Sequence, residues 1–394
     1  MSEFIFWLSL IIIGYTYIGY ILILLIIWGI KCFFAKRDSL QAGYEPTVTI
    51  FIAAYNEKDI IPAKVENLRR LEYPTEKLTF LWVTDGSTDG SDALLRQYPD
   101  MHVLHENERR GKVGAINRGM QYVQSEIVIF CDANSMLAPG TVREVVRRFI
   151  DPQVGCVAGE KRIMLPQQES AQGVGEGIYW KIESFIKRLE SDVNSTVGAA
   201  GEICAIRTSL FEPLEPDTIL DDFVLSLRMV EKGYKIKYAH RALATEMASF
   251  SISDEMKRKV RIAAGCIQAL PRLKPLLNIF RYGFFSFQYW SHKVLRWLAV
   301  PPAIMAVFFA NIFLLNAGII YRLAFALQLI AYLLVAIGYF LRRKKIQFKY
   351  LFLPYYFMVM NSALVWGLIR YFCGKQSVNW EKVQRMQMQL GNND

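Results

Sequence analysis

Hydrophobic positions crowd the two ends of the chain, and the middle alternates between apolar and polar runs. Phe4 to Ile30 is uncharged and apolar; at about 1.5 Å per residue, a helix of that length crosses a bilayer. A signal peptide is the competing reading. The missing positive charge ahead of the run, its length and the lack of a small-residue cleavage site before Lys31 favour a retained anchor. Lys31, Lys36 and Arg37 follow, which predicts that the next segment is cytosolic.

From about Pro46 the pattern changes to short β-rich runs separated by amphipathic stretches. Val48–Ala53, Leu78–Val83, His102–His105 and Ile127–Cys131 read as buried strands. Asp59–Arg70, Ser91–Arg96, Gly114–Val123 and Thr141–Ile150 read as the helices between them. This alternation predicts an α/β domain with a mostly parallel sheet flanked by helices. Ligands of such sheets bind beyond the carboxyl ends of the strands.

Aromatic residues crowd among basic ones between Gln268 and Trp297, as suits a helix in the headgroup layer; a buried aromatic helix of the soluble domain is the alternative. Apolar spans follow at about Leu298–Leu315, Leu323–Leu341 and Tyr350–Ile369. Pro301 and Pro302 sit near the first turn of theirs, where proline is tolerated. Arg342 to Lys345 should be cytosolic. Strict counting then puts the tail outside, against Lys375, Lys382 and Arg385, so a re-entrant last segment is the other option. The expected division is a membrane helix over 1–30, a soluble domain over 31–277, an interfacial segment over 278–297, a membrane region over 298–373 and a polar tail over 374–394. It describes a multi-pass protein of the plasma or inner membrane with its soluble domain in the cytosol.

Composition changes this picture little. In 394 residues, 53% are hydrophobic and 13% aromatic, too much chain for a single ordinary core. The net charge of +10 is partly the basic flanks of membrane segments. The rest suits a polyphosphate-bearing substrate or anionic headgroups. No basic stripe with interleaved aromatics marks a nucleic-acid partner. The six cysteines stand singly, which argues against a zinc site or a disulfide framework.

Six polar clusters carry candidate chemistry. Ala53 to Glu57 and Asp85 to Ser91 each end a buried strand. Small residues there admit a nucleotide and a carboxylate can accept a uracil N–H, although a turn with an N-cap explains the second equally well. Glu108 to Lys112 is a basic loop feeding a helix start, fit for phosphate or simply solvated. Asp132-Ala133-Asn134 places two oxygen ligands at a strand end, enough for Mg²⁺ or Mn²⁺ sharing substrate phosphates; a capping turn is the alternative. Asp221 and Asp222 are adjacent carboxylates, one of which can carry a raised pKa suited to a general base, or they cap a helix. Arg258 and Arg261 share a helix face that can hold a diphosphate or meet the membrane surface.

In this order the clusters AAYNE (53–57), DGSTD (85–89), RRGKVGAINRG (109–119), DANS (132–135), GAAGEICAIR (198–207), LDDF (220–223) and RKVRI (258–262) resemble the membrane-bound family 2 glycosyltransferases. The resemblance covers about Pro46 to Gln268 and the arrangement of membrane segments. It implies a GT-A fold and inverting transfer from a nucleotide-sugar to an acceptor hydroxyl. Ala54, Tyr55, Glu57 and Asp85 would hold the uridine, and Lys112 would face the nucleotide. Asp132 and Asn134 would bind Mg²⁺ or Mn²⁺, Asp222 beside Asp221 would be the base, and Arg258 and Arg261 would meet the diphosphate. Two departures stand out. Asn134 replaces a second Asp, and RKVRI lacks the Gln and Trp of the chain-extending synthases. The implied acceptor is a glycan or a lipid-linked sugar. Export of a polymer through so few spans would need a homo-oligomer or an export partner.

Overall fold

The computed structural model describes residues 1–34, 43–164, 171–247, 252–343 and 352–374. The chain divides into two compact units. One comprises Met1–Phe33, Leu165–Ile186 and Ser251–Gln376; the other comprises Phe34–Met164, Lys187–Phe250 and Ser377–Asp394. Of the charges used to orient the chain, Lys36, Arg37, Lys344, Lys345, Lys375, Lys382 and Arg385 lie outside the described residues.

The second unit is built on one eight-stranded sheet. Its strands are β1 (Val48–Ala54), β2 (Leu78–Asp85), β3 (Met101–Glu106), β4 (Ile127–Phe130), β5 (Met136–Leu137), β6 (Val154–Met164), β7 (Cys204–Arg207) and β8 (Lys235–Met247). They lie in the order β3-β2-β1-β4-β7-β6-β8-β5. The first four are parallel. Beyond them β7 runs antiparallel to both β4 and β6, β6 and β8 pair in parallel, and β5 closes the far edge antiparallel to β8. The sheet is therefore mixed, with its parallel half where the sequence pattern places it.

Helices on both faces explain why the central strands read as continuous apolar runs. Val48, Ile50, Ile52 and Ala54 point to one face of β1 and join the main core with Ile61, Val65 and Leu68 of the helix Ile61–Arg69. Phe51 points the opposite way, as the two-residue period requires, and its ring lies 5.3 Å from that of Phe130. The helix Gly111–Gly119 covers this second face. At its last residue a Cβ would stand 2.4 Å from Phe51 Cε2 and 2.7 Å from Val83 Cγ2. Gly119→Ala is therefore expected to destabilise the unit by about 1–3 kcal/mol through overpacking, seen as a lower midpoint in thermal unfolding. An unchanged midpoint would show that helix and sheet can separate without penalty.

The first unit is helical. Among the described residues, three helices are long and apolar enough to cross a membrane: Ser2–Phe34, Phe284–Phe313 and Ile319–Leu341. A further helix, Phe352–Phe372, follows them. The aromatic and basic stretch runs straight into the second of these spans: Phe284–Tyr289 leads to a π-helix at Trp290–Ala299 and on to Val300–Phe313. Pro301 and Pro302 stand second and third in the last segment, within its first turn, where proline is tolerated. The π-helix carries His292, Lys293 and Arg296. The Glu183 carboxylate accepts from Lys293 Nζ at 2.6 Å and from Arg296 at 3.1 Å, with His292 Nε2 at 3.3 Å. Burial alone would raise Glu183, but these three groups hold it well below the usual carboxylate range. Charges in an apolar helix are tolerated when paired in this way.

Candidate active site

The sequence clusters of the sheet unit converge at the carboxyl ends of the parallel strands. At the first, β1 ends in buried Ala54, and the chain turns through Tyr55, Asn56 and Glu57. Asn56 has φ of 54°, the one positive value for a non-glycine among the described residues. Asn side chains tolerate this by bonding locally, and here Asn56 Oδ1 accepts from Thr88 N–H at 2.8 Å. The loop is tied further to the end of β2. Asn56 N–H donates to Ser87 Oγ, Glu57 N–H to Ser91 Oγ and Lys58 N–H to the Asp89 carboxylate, at 3.0 to 3.1 Å. AAYNE and DGSTD thus form one rim. Over it the Arg109 guanidinium lies 3.7 Å from the centroid of the Tyr55 ring, a cation–π contact.

Asp85 is fully buried. Its carboxylate accepts from Arg110 N–H at 3.1 Å and Gly111 N–H at 2.7 Å, with Arg118 at 3.7 Å. The first N–H groups of a helix lack partners within it, and Asp85 supplies them. In this arrangement the carboxylate fixes the start of the Gly111–Gly119 helix.

That helix start carries Lys112, around which the acidic clusters meet. Lys112 Nζ is 2.9 Å from Asp132 Oδ1 and 3.2 Å from Asp221 Oδ2. Burial pushes its pKa down, but Asp132, Asp221 and Asp222 outweigh this and hold it well above the usual lysine range. Asp132 follows β4 by two residues, and a Ser135 N–H to Asp132 carbonyl bond of 3.1 Å closes the turn beyond it. Asp221 and Asp222 open the helix Asp221–Glu231. Asp222 Oδ1 accepts from Phe223 N–H at 2.8 Å. Burial first, and Asp221 second, push Asp222 up to about 7 against the pull of Lys112.

Gly201 closes the cluster. A Cβ on it would stand 3.3 Å from Lys112 Nζ, 3.5 Å from Asp222 Oδ2 and 3.6 Å from Asp132 Oδ2. The backbone of GAAGEICAIR is therefore the wall against which the three side chains are arranged. Arg207, at the end of the same motif, serves the fold: it donates to the carbonyls of Phe149, Asp151 and Val154.

Among the described residues, no three His, Cys, Asp or Glu side chains form a metal-binding group. Asp132, with a third of its side chain exposed, and part-exposed Asn134 offer one carboxylate and one amide oxygen. That pair fits a hard cation that keeps waters and takes its remaining ligands from a diphosphate. Arg258 and Arg261 lie in the other unit, three residues apart on the helix Ile252–Arg272.

Several residues of this site escape motif reading. Lys161 pairs with Glu202 and with Glu246, Ser135 Oγ donates to Glu246 at 2.8 Å, and fully buried Lys64 reaches Cys131 Sγ and the Ser135 carbonyl. The available signal is a charge inside an apolar run, since such charges are rarely buried unpaired; it does not say which partner each charge finds.

Residues 49–214 match the family model described as Glycosyl transferase family 2. That stretch, less than half of the chain, is similar to the family 2 glycosyltransferases. Asp221 and Asp222 lie just past the matched stretch, and Lys112 joins them to Asp132 within it. The poly-beta-1,6-N-acetyl-D-glucosamine synthase of Staphylococcus aureus (strain MSSA476) is 26% identical to this chain over 245 residues. That is 60% of this chain and 58% of the relative. The Staphylococcus epidermidis enzyme of the same name is 26% identical over 233 residues, 57% of this chain and 56% of the relative. Both matches thus span less than two thirds of the relative's length. Among solved structures, the mannosyltransferase PcManGT from Pyrobaculum calidifontis in complex with GDP-Man and Mn²⁺ superposes with a TM-score of 0.70. Identity is 22%, over 95% of this chain and 100% of that one. The likeness is one of fold, and the fold is GT-A.

Proposed function

We propose that this chain transfers a sugar from a nucleotide-sugar, a UDP-sugar in the first instance, to an acceptor hydroxyl at the membrane, with inversion. The observation that carries the reading is Asp222, a carboxylate pushed up to about 7 beside a lysine that also holds Asp132. A general base works best with a pKa near the operating pH. Asp222 takes the proton from the acceptor hydroxyl as its oxygen attacks the anomeric carbon opposite the diphosphate. A single displacement inverts the configuration, so an α-linked donor gives a β-linkage. Lys112 supplies positive charge to the departing diphosphate. The rim of Ala54, Tyr55, Glu57 and Arg109 receives the nucleoside, and Asp85 keeps the helix that presents Lys112 in place.

A divalent cation, Mg²⁺ or Mn²⁺, would be held by Asp132 and Asn134. It would neutralise charge growing on the leaving group. Because Asn134 brings no charge, its affinity should depend on the donor's diphosphate. The apolar helices support action at the membrane, and the basic residues after Phe34 support a plasma or inner membrane location with the sheet unit in the cytosol. The staphylococcal relatives favour cell-surface polysaccharide or glycolipid synthesis. RKVRI, lacking Gln and Trp, favours a second reading in which one sugar is added to a lipid-linked acceptor.

The deciding experiment uses the full chain purified in lipid. It is offered a panel of UDP- and GDP-sugars with Mg²⁺ or Mn²⁺, and nucleoside diphosphate release and product length are measured. One donor should give release that EDTA abolishes and either metal restores. A chain that releases no diphosphate from any donor is a scaffold of a glycan assembly and not a transferase.

A further inference from the structure

We propose that Lys161 is a positioning residue for the transfer reaction, holding the base side of the site and the diphosphate side at a fixed separation. This rests on the functional reading above. Two turns carry the reacting groups. One contains Gly201 and Glu202 and forms the wall beside Asp222; an Ile203 N–H to Ala200 carbonyl bond of 3.2 Å closes it. The other runs from Asp132 to Ser135. No hydrogen bond between the two turns is needed to relate them, because Lys161 of β6 spans the gap.

Its ammonium pairs with Glu202 on one side and donates to Glu246 Oε2 at 2.7 Å on the other. The second oxygen of Glu246 accepts the Ser135 hydroxyl at 2.8 Å. The path from the Gly201 wall to the end of DANS is therefore Glu202, Lys161, Glu246, Ser135, each link a charged or hydrogen-bonded contact. Lys161 and Glu246 are each 3% exposed at the side chain and Glu202 12%, so water does not loosen the links. Buried Lys64 grips the same turn at the Ser135 carbonyl.

Buried ion pairs give little net stability over an apolar replacement of equal volume. What this one supplies is geometry. Two like-charged glutamates with a cation between them have one arrangement that satisfies all three. Positioning matters because a misplacement of about 1 Å can cost 10²-fold in rate.

The test compares wild type, Lys161→Met, Lys161→Arg and Ser135→Ala as full chains in lipid. Rates are expressed per molecule that gives a native thermal transition. Lys161→Met should lower kcat by about 10²-fold with donor KM within about threefold, because the donor rim is untouched. Lys161→Arg, which keeps the charge, should recover at least tenfold of that loss. Ser135→Ala removes one link without leaving a buried charge. It should fold like wild type with kcat reduced about three- to tenfold, and it carries the test if Lys161→Met does not fold. Unchanged kcat per folded molecule in both Lys161→Met and Ser135→Ala, or in Ser135→Ala alone if the other is unfolded, overturns the positioning role and leaves the transferase reading standing. Wild type inactive with every donor overturns both.

Discussion

Replacing Asp222 by Asn should lower kcat by about 10²–10⁴-fold, the usual worth of a placed general base. Donor KM should stay within a few-fold, since the rim around Tyr55 does not involve this carboxylate. Wild-type kcat/KM should fall as pH drops through about 7, the value to which burial and Asp221 push the group, because only the ionised form accepts a proton. The same shift has a stability consequence of definite sign. Between its ordinary 3.8 and about 7, the folded protein keeps a proton that the unfolded chain has released. The stability this provides is complete below the lower value and is lost as pH rises to the upper one. At pH 8 the Asn variant should therefore unfold at the same temperature as wild type or higher. A variant that loses activity and also melts early at pH 8 would mean that Asp222 is there to hold the helix.

Lys112→Met should be nearly as damaging, at about 10²–10³-fold in kcat, the scale for removing one group that stabilises developing charge. Two effects add. The donor diphosphate loses a cation, and Asp132, Asp221 and Asp222 lose the ammonium that holds them together. With it gone, Asp222 should rise further, moving the acid side of the pH profile above 7. Lys112→Arg should restore part of the rate. Nucleoside diphosphate binding by calorimetry should weaken in the Met variant; unchanged binding and a rate within threefold of wild type would remove Lys112 from the donor site.

The sequence carried the parallel half of the sheet well. β1, β4 and the second half of β2 are buried on both faces, so their apolar runs mark them to within two residues; the edge strand β3, with Met101 alone fully buried, is marked by its alternation with helices. The far half was hidden for a physical reason. β7 has four residues among small neighbours, and Lys161 and Glu246 interrupt the apolar pattern of β6 and β8 because they pair with each other across 85 positions of chain. The acidic motifs revealed Asp132, Asp221 and Asp222, since each stands at a strand or helix end where a turn already needs polar residues. Asp85 has a part that motif reading does not reach. Its type and its place at the end of β2 suit a base-binding carboxylate, and the two N–H donors that also engage it depend on how the next helix returns over the sheet. The aromatic stretch before Leu298 suits the headgroup layer by composition alone. From Phe284 it belongs to a helix that runs on to Phe313, and its charges find Glu183 more than 100 positions away, a pairing that composition does not reveal.

Gly201 has an implication of its own. Beside Lys112, Asp132 and Asp222 the boundary is bare main chain, which has no rotamer to swing aside. A single methyl group added there would press on the ammonium and on both carboxylates together.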